Sequence, residues 1–366
     1  MIPYGKQTID KNDINSVVKV LKSDWLTQGP AVSKFEADLA KYCGAKYAVA
    51  VSNGTVALLL SYLVAGVKPG DEVITTPNTF VATTNMLLAL GAKPVFCDIR
   101  LDTYNIDESK IEQLITKKTK ALVPVNFAGQ PVELNKIKTI AKKYKLILIE
   151  DGCHSLGAEH QGKKVGSISD MTIFSFHPVK SIATGEGGAI LTNNKKLYDK
   201  LKLLRSHGIT KDKKGFNVMT ELGYNFRISD IQSALGVSQL KKINSFISKR
   251  RILVKKYQER LKDVSQIVLP KEIKGNFSSW HLYVIRTKNP ADRLPLYKYL
   301  LSRGIGVNFH YPAVYSHPYY RRHGYQKTKL INDEVYVETA ITIPLFPTLS
   351  DKDHQYICDQ IKKFFS

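Results

Sequence analysis

Residues 174–188 read FSFHPVKSIATGEGG and set one lysine, Lys180, between an aromatic-rich run and a glycine-rich loop. The run MTIFSFH carries the β-branched and aromatic residues of a strand, PVK turns the chain out of it, and SIATGEGGAIL leads through a loop into another apolar run. A lysine at a strand end in apolar company loses hydration, which lowers its pKa and leaves more of the nucleophilic free amine. Such an amine forms a Schiff base with an aldehyde. A lone lysine is more often a solvated charge, and TGEGG lacks the GKS or GKT ending of a phosphate loop. The meaning of Lys180 therefore depends on what the rest of the chain brings to it.

Similar apolar runs recur on both sides: KYAVAVSNG, DEVITTPNTF, KPVFCDI, KALVPVNFAG, LILIEDGCHS and GAILTNN. They alternate with amphipathic segments such as TVALLLSYLVAG and ELNKIKTIAKKY, the βα rhythm of a mostly parallel sheet. The rhythm fades near residue 240. A long basic helix then leads to a mixed region with isolated strands such as HLYVIRT and a final helix, DKDHQYICDQIKKFF. The expected fold class is α/β, with a large domain over 1–245 and a smaller C-terminal α+β domain over 246–366. In such sheets ligands sit beyond the carboxyl ends of the strands, so reactive residues at strand ends are the ones to collect.

Composition narrows the partners. The 366 residues carry 54 Lys and Arg against 32 Asp and Glu, a net charge of +22, which draws anions without choosing among them. The basic residues are spread through helical stretches such as KKINSFISKRRILVKKY, and no RNA-binding aromatic motif, zinc-finger spacing or basic zipper accompanies them. Nucleic acid is therefore not expected as a partner. The longest apolar stretch, VALLLSYLVAGV, is too short to span a bilayer, and MIPYGKQTIDKND has no signal-peptide pattern. Cys43, Cys97, Cys153 and Cys358 are far apart and form no CxxC pair, against both a zinc site and a disulfide framework. A soluble protein of the reducing cytoplasm, without membrane or metal, is the expectation.

Two further strand ends supply company for Lys180. In AVAVSNGTVALLL an apolar strand stops at Ser52 and a helix begins near Thr55, which turns the free N–H groups of Gly54 and Thr55 and the positive helix end toward a ligand phosphate. In LILIEDGCHSLGA a buried strand runs into Glu150 and Asp151, one of which points into the site as metal ligand, general base or partner of a cationic heterocycle. Each feature alone has a plain reading, a capped helix start or an acid capping a turn. Together with Ser175, just upstream of Lys180, they are the parts needed to hold pyridoxal phosphate: a lysine for the aldehyde, an acid for the ring nitrogen and a helix end for the phosphate.

The ordered set YGKQTID, LTQGP, FE at Phe35 and Glu36, SNGTVAL, TTPNTFVATTNM, EDGCHSLGA, FSFHPVKSIATGEGGA, LRSHGI, GYNFRISDIQSALGVSQL and VNFHYP resembles the DegT/DnrJ/StrS family of pyridoxal-phosphate-dependent nucleotide-sugar aminotransferases, over essentially the whole chain. The resemblance implies the fold type I transferase architecture, like that of aspartate aminotransferase, and a homodimer with shared active sites. It implies Lys180 as the Schiff-base lysine and Asp151 as the partner of the ring nitrogen. Gly54, Thr55 and Ser175 would hold the phosphate, Phe80 would stack on the ring, His154 would sit beside the ring hydroxyl, and Asn225 would reach a neighbouring subunit's cofactor phosphate. Implied substrate contacts are Tyr4, Leu26, Thr27, Phe309, His310 and Tyr311. The implied reaction moves an amino group, from glutamate, to the 4-keto carbon of a UDP-linked 4-keto-6-deoxy-N-acetylhexose; a GDP- or dTDP-linked keto sugar is the alternative.

Two positions depart from many relatives, which carry Gln where this chain has His154 and His where it has Asn126. A branch that dehydrates sugars has His in place of the lysine, so Lys180 favours transamination. A basic nucleic-acid-binding protein, for which the charge of +22 is the only support, and a cofactor-free lyase or aldolase, which leaves the phosphate cradle unexplained, are the other readings.

Overall fold

The computed structural model describes residues 1–366. The seven apolar runs form one sheet: β1 Tyr47–Val51, β2 Glu72–Thr75, β3 Lys93–Phe96, β4 Thr119–Val123, β5 Ile147–Asp151, β6 Met171–Ser175 and β7 Gly188–Thr192, in the spatial order β1-β7-β6-β5-β4-β2-β3. Six strands share one direction, and β7 runs antiparallel to both neighbours. The connection from β6 to β7 is the Lys180 loop, with no crossover helix to reverse the chain, so β7 returns beside β6 in the opposite sense.

Side chains alternate between the faces of the sheet. In β6, Ile173 packs with Val49, Leu58, Ile149 and Ile190 on one face, while Phe174 packs with Phe35, Leu39 and Ala48 on the other. Helices cover both, among them α1 Pro30–Cys43, α2 Gly54–Val64 and α3 Ala82–Ala89. The start of α2 lies so close to β7 that a Cβ on Gly188 would stand 2.5 Å from the Asn53 carbonyl oxygen. Only glycine allows that approach, which brings the helix end to the strand ends.

Beyond α4 Ile243–Leu261 the chain builds an antiparallel three-stranded sheet, β8 Ile267–Val268, β9 Tyr283–Thr287 and β10 Ala340–Ile343, in the order β8-β9-β10. It is packed with α5 Arg293–Ser302 and α6 Asp351–Phe365 around Tyr257, Ile285, Leu296, Ile341 and Ile357. The N-terminal residues join this part: Ile2 pairs with Ile305, and the Leu345 N–H donates to the Tyr4 carbonyl at 3.0 Å. No helix is long and apolar enough to cross a membrane.

One buried acid gives the stability of this arrangement a pH dependence. Asp333 is 0% exposed and neither of its oxygens makes a regular hydrogen bond. Burial pushes its carboxyl up to about 7, the nearby Tyr315 hydroxyl pulls it back, and Asp98 and Glu334 add to the rise. A raised folded-state pKa makes the protonated acid the stabilising form. Its contribution is complete below the ordinary carboxyl range and is lost as the pH climbs to about 7. Asp333→Asn, which cannot ionise, is expected to raise the melting temperature at pH 8 by several degrees and to leave it nearly unchanged at pH 4, as thermal unfolding at the two pH values would record.

Candidate active site

The carboxyl ends of β1, β2, β4, β5 and β6 open onto one cavity of about 620 Å³, within the size range of small-molecule sites. A wider groove of about 980 Å³ along α4, lined by Arg251, Phe277 and Trp280, holds none of the groups collected from the strand ends. The smaller cavity is therefore the candidate.

Its floor begins at α2. Asn53 caps the helix, its Oδ1 accepting the Val56 N–H at 2.9 Å. The N–H groups of Gly54 and Thr55 belong to the first turn, where no intrahelical acceptor exists. A Cβ on Gly54 would lie 2.9 Å from the Ser175 Cβ and 3.2 Å from its Oγ. Glycine thus leaves a cradle of two N–H groups and one hydroxyl at the positive end of a helix, the donor set a phosphate requires.

At the end of β5, Glu150 turns away from the cavity. It is fully buried and accepts from Asn126 Nδ2 at 2.8 Å, Ser169 Oγ at 3.0 Å and Thr172 Oγ1 at 3.0 Å. Burial pushes this carboxyl up, and the three donors pull against the rise. Asp151 faces the cavity. Its Oδ2 accepts from Thr83 Oγ1 at 2.8 Å and its Oδ1 from the Cys153 N–H at 3.1 Å. Pairing with β4 continues past the strand ends, Asp151 N–H to the Pro124 carbonyl and Asn126 N–H to the Asp151 carbonyl, which fixes the backbone beneath the carboxylate.

Lys180 enters from the β6 exit. Desolvation lowers its pKa, with Cys153 and Asp151 acting the other way, so the free amine is more accessible than in an exposed lysine. Three imidazoles surround it. His154 is held well below the ordinary histidine range by burial and by the charges of Lys180 and His310; His281 shifts the same way, and His310 falls to about 3. The second domain and the N-terminal segment supply the roof: Asn308, Phe309, His310, Tyr311 and Tyr4, with the Tyr4 and His310 rings 5.1 Å apart. Phe80 lines the same cavity and is 58% exposed.

The cavity therefore gathers Tyr4, Gly54, Thr55, Phe80, Asp151, His154, Ser175, Lys180, Phe309, His310 and Tyr311. Leu26, Thr27 and Asn225 lie outside it on exposed surface, Thr27 bridged to Ser229 and Asn225 to Ser206. Thr83, His281 and Asn308 were not anticipated. Thr83 sits inside TTPNTFVATTNM and His281 begins the HLYVIRT run, two residues before β9, but nothing in either run marks the side chain as facing a site. Asn126, one of the two positions that depart from many relatives, proves to be a hub: besides Glu150 it donates to Ser155 Oγ at 2.9 Å and accepts from the Val132 N–H at 3.0 Å.

Comparison with known proteins agrees with this chemistry. The DegT/DnrJ/EryC1/StrS aminotransferase family profile matches residues 7–362. The UDP-4-amino-4,6-dideoxy-N-acetyl-beta-L-altrosamine transaminase of Campylobacter jejuni is 41% identical over 366 residues, 99% of this chain and 96% of that protein. Among solved structures, Helicobacter pylori PseC, described as an aminotransferase involved in the biosynthesis of pseudoaminic acid, superposes with a TM-score of 0.95 at 36% identity, covering 100% of this chain and 99% of its own. Spr1654 of Streptococcus pneumoniae, solved in a PLP form, superposes with a TM-score of 0.94 at 30% identity, covering 99% and 98%.

The cradle makes a direct prediction. Gly54→Ala inserts a methyl group between α2 and Ser175, and pyridoxal phosphate affinity is expected to fall by about 10-fold or more, a loss of roughly 1.4 kcal/mol. Fluorescence titration of the apoprotein would measure it, with circular dichroism confirming an intact fold.

Proposed function

Because the chain belongs to the DegT/DnrJ/EryC1/StrS aminotransferase family, whose cofactor is pyridoxal phosphate, we propose that it transfers an amino group from glutamate to the 4-keto carbon of a UDP-linked 4-keto-6-deoxy-N-acetylhexose. The observation that carries the reading is the convergence of Lys180, Asp151 and the Gly54, Thr55 and Ser175 cradle on one cavity, with Phe309, His310 and Tyr311 above them. The sugar is assigned from the relatives' activity.

When bound, the cofactor supplies an aldehyde that takes up an amino group and a protonated ring that draws electrons from the neighbouring carbon. The residues divide the remaining work. Gly54, Thr55 and Ser175 would receive the phosphate; Asp151, held by Thr83 and the Cys153 N–H, would meet the ring nitrogen; Phe80 would cover the ring and His154 would stand beside its hydroxyl. Lys180 would hold the cofactor through its Nζ, and the same amine would carry the proton as general acid and base. Tyr4, Phe309, His310 and Tyr311 enclose the sugar and shield it from water.

A homodimer completes the proposal. Apart from Lys180, the cavity of one chain contains no lysine or arginine to meet a diphosphate. The hairpin of Ile209–Lys211 and Asn217–Met219 and the chain just after it expose apolar surface unusual for a monomer, with Phe216 at 67%, Met219 at 68% and Leu222 at 73%. It carries Lys211 at one strand end and Lys213 and Lys214 in its turn. Asn225, Leu26 and Thr27 share this exposed character. Docked on a second copy, this surface would bring Asn225 to the neighbouring phosphate cradle and its lysines to the substrate diphosphate. The four cysteines are all free, in keeping with a cytoplasmic setting.

Lys180→Ala is expected to lower transamination by about 10³-fold. Borohydride treatment of the native protein should leave a pyridoxyl mark on Lys180 in peptide mapping, and retained turnover of the variant without added amines would sink the assignment. Assays with UDP-, GDP- and dTDP-linked keto sugars should favour the UDP 4-keto substrate. Asn225→Ala should weaken cofactor binding without disturbing the monomer fold.

A further inference from the structure

His154 makes two hydrogen bonds, and one fixes the direction of the other. The Ala128 N–H donates to its Nδ1 at 3.3 Å, and its Nε2 lies 3.1 Å from the Tyr311 hydroxyl. A backbone N–H can only donate, so Nδ1 must be the unprotonated nitrogen and the ring proton sits on Nε2. His154 is then the donor to the Tyr311 oxygen. The phenolic hydrogen cannot also point at His154, and Tyr311 Oη has no other protein partner.

The groups that set this direction are held in place. Ala128 adopts a left-handed conformation, φ 55°, within the Asn126–Gly129 turn. Asn126 ties that turn to buried Glu150. A Cβ on Gly129 would stand 2.7 Å from both Ser279 Oγ and Trp280 N, so the second domain packs directly onto the turn. Ser279 Oγ also donates to the His154 carbonyl at 3.0 Å. On the other side, the Tyr311 N–H donates to Asn78 Oδ1 at 3.3 Å and its ring lies against Phe127 and Phe80. Burial, with the carboxylate of Asp151 nearby, keeps the phenol protonated.

We propose that the series Ala128 N–H, His154, Tyr311 is a directional relay that leaves the Tyr311 hydroxyl an obligate donor into the cavity, aimed at a carbonyl or anionic oxygen of the bound reactants. Tyr311 makes the contact; His154 and Ala128 position it. The inference rests on the aminotransferase reading for the identity of that oxygen, which belongs either to the cofactor ring or to the keto group of the acceptor sugar.

Nitrogen NMR of histidine-labelled protein, with the His154 signal assigned by its loss in His154→Leu, reads the tautomer without any cofactor. The expected result is an Nε2–H form that stays neutral from pH 6 to pH 8; an Nδ1–H or doubly protonated ring would overturn the relay. Tyr311→Phe holoenzyme, followed through each half-reaction by stopped-flow absorbance, locates the oxygen. If it is the sugar's, the cofactor spectrum and the glutamate half-reaction hold while the acceptor half-reaction slows by about 10- to 100-fold. If it is the cofactor's, the visible band and its pH titration shift. His154→Leu should match Tyr311→Phe, the double variant should fall no further, and His154→Gln, whose amide offers one acceptor and one donor, should recover most of the loss. A Tyr311→Phe enzyme unchanged in spectrum and both half-reactions would refute the donor role. A wild-type protein that takes up no pyridoxal phosphate would instead refute the aminotransferase reading, leaving the tautomer to decide the relay.

Discussion

At the end of β5 the chain carries two carboxylates in succession, and the pleat of a strand sends them to opposite sides of the sheet. Burying a charge is costly unless donors meet it. Glu150 goes to the closed side, where Asn126, Ser169 and Thr172 satisfy it. That frees Asp151 to face the cavity, braced by Thr83 and the Cys153 N–H. A shift of the strand by one residue would exchange the two acids and leave the cavity without its charge. The donors around Glu150 therefore act as a lock on register as well as a solution to burial, and the roles of the neighbouring residues depend on that lock.

The site uses electrostatics by subtraction. Lys180 stands among three imidazoles that burial keeps neutral and beside one carboxylate, so the enclosed space holds little positive charge of its own. The protein's large basic excess lies elsewhere. A neutral interior suits a lysine that must release and recover a proton, and a basic exterior suits the capture of a diphosphate. The two requirements conflict within one small volume, and distributing them over separate surfaces resolves the conflict.

Much of this was legible in the sequence. The βα rhythm gave the sheet, and the rule that ligands gather at strand ends selected Gly54, the Glu150–Asp151 pair, Ser175 and Lys180; of these, all but Glu150 line one cavity. Strand direction was not legible: GAILTNN is a continuous apolar run, and such a run looks the same whether it lies parallel or antiparallel to its neighbours. Nor could spacing tell which of Glu150 and Asp151 faced inward, because parity depends on the partner strands. His281 and Asn308 were invisible for another reason. They come from the second domain, and their relation to Lys180 is set by packing between distant segments rather than by any local pattern.

Helix α4 belongs to both cores. Ile243 and Ile247 pack with the face of the large sheet that holds Phe35 and Phe174, while Leu253, Val254, Tyr257 and Leu261 pack with the second domain. Its Ile247 lies so close to Gly157 that a Cβ there would stand 2.3 Å from the isoleucine Cδ1, three positions beyond His154. A single rigid element shared in this way makes the two halves one cooperative unit. Neither half can lose its packing without stripping apolar cover from the other, so amide protection should be uniform along α4 rather than stepping down at its middle.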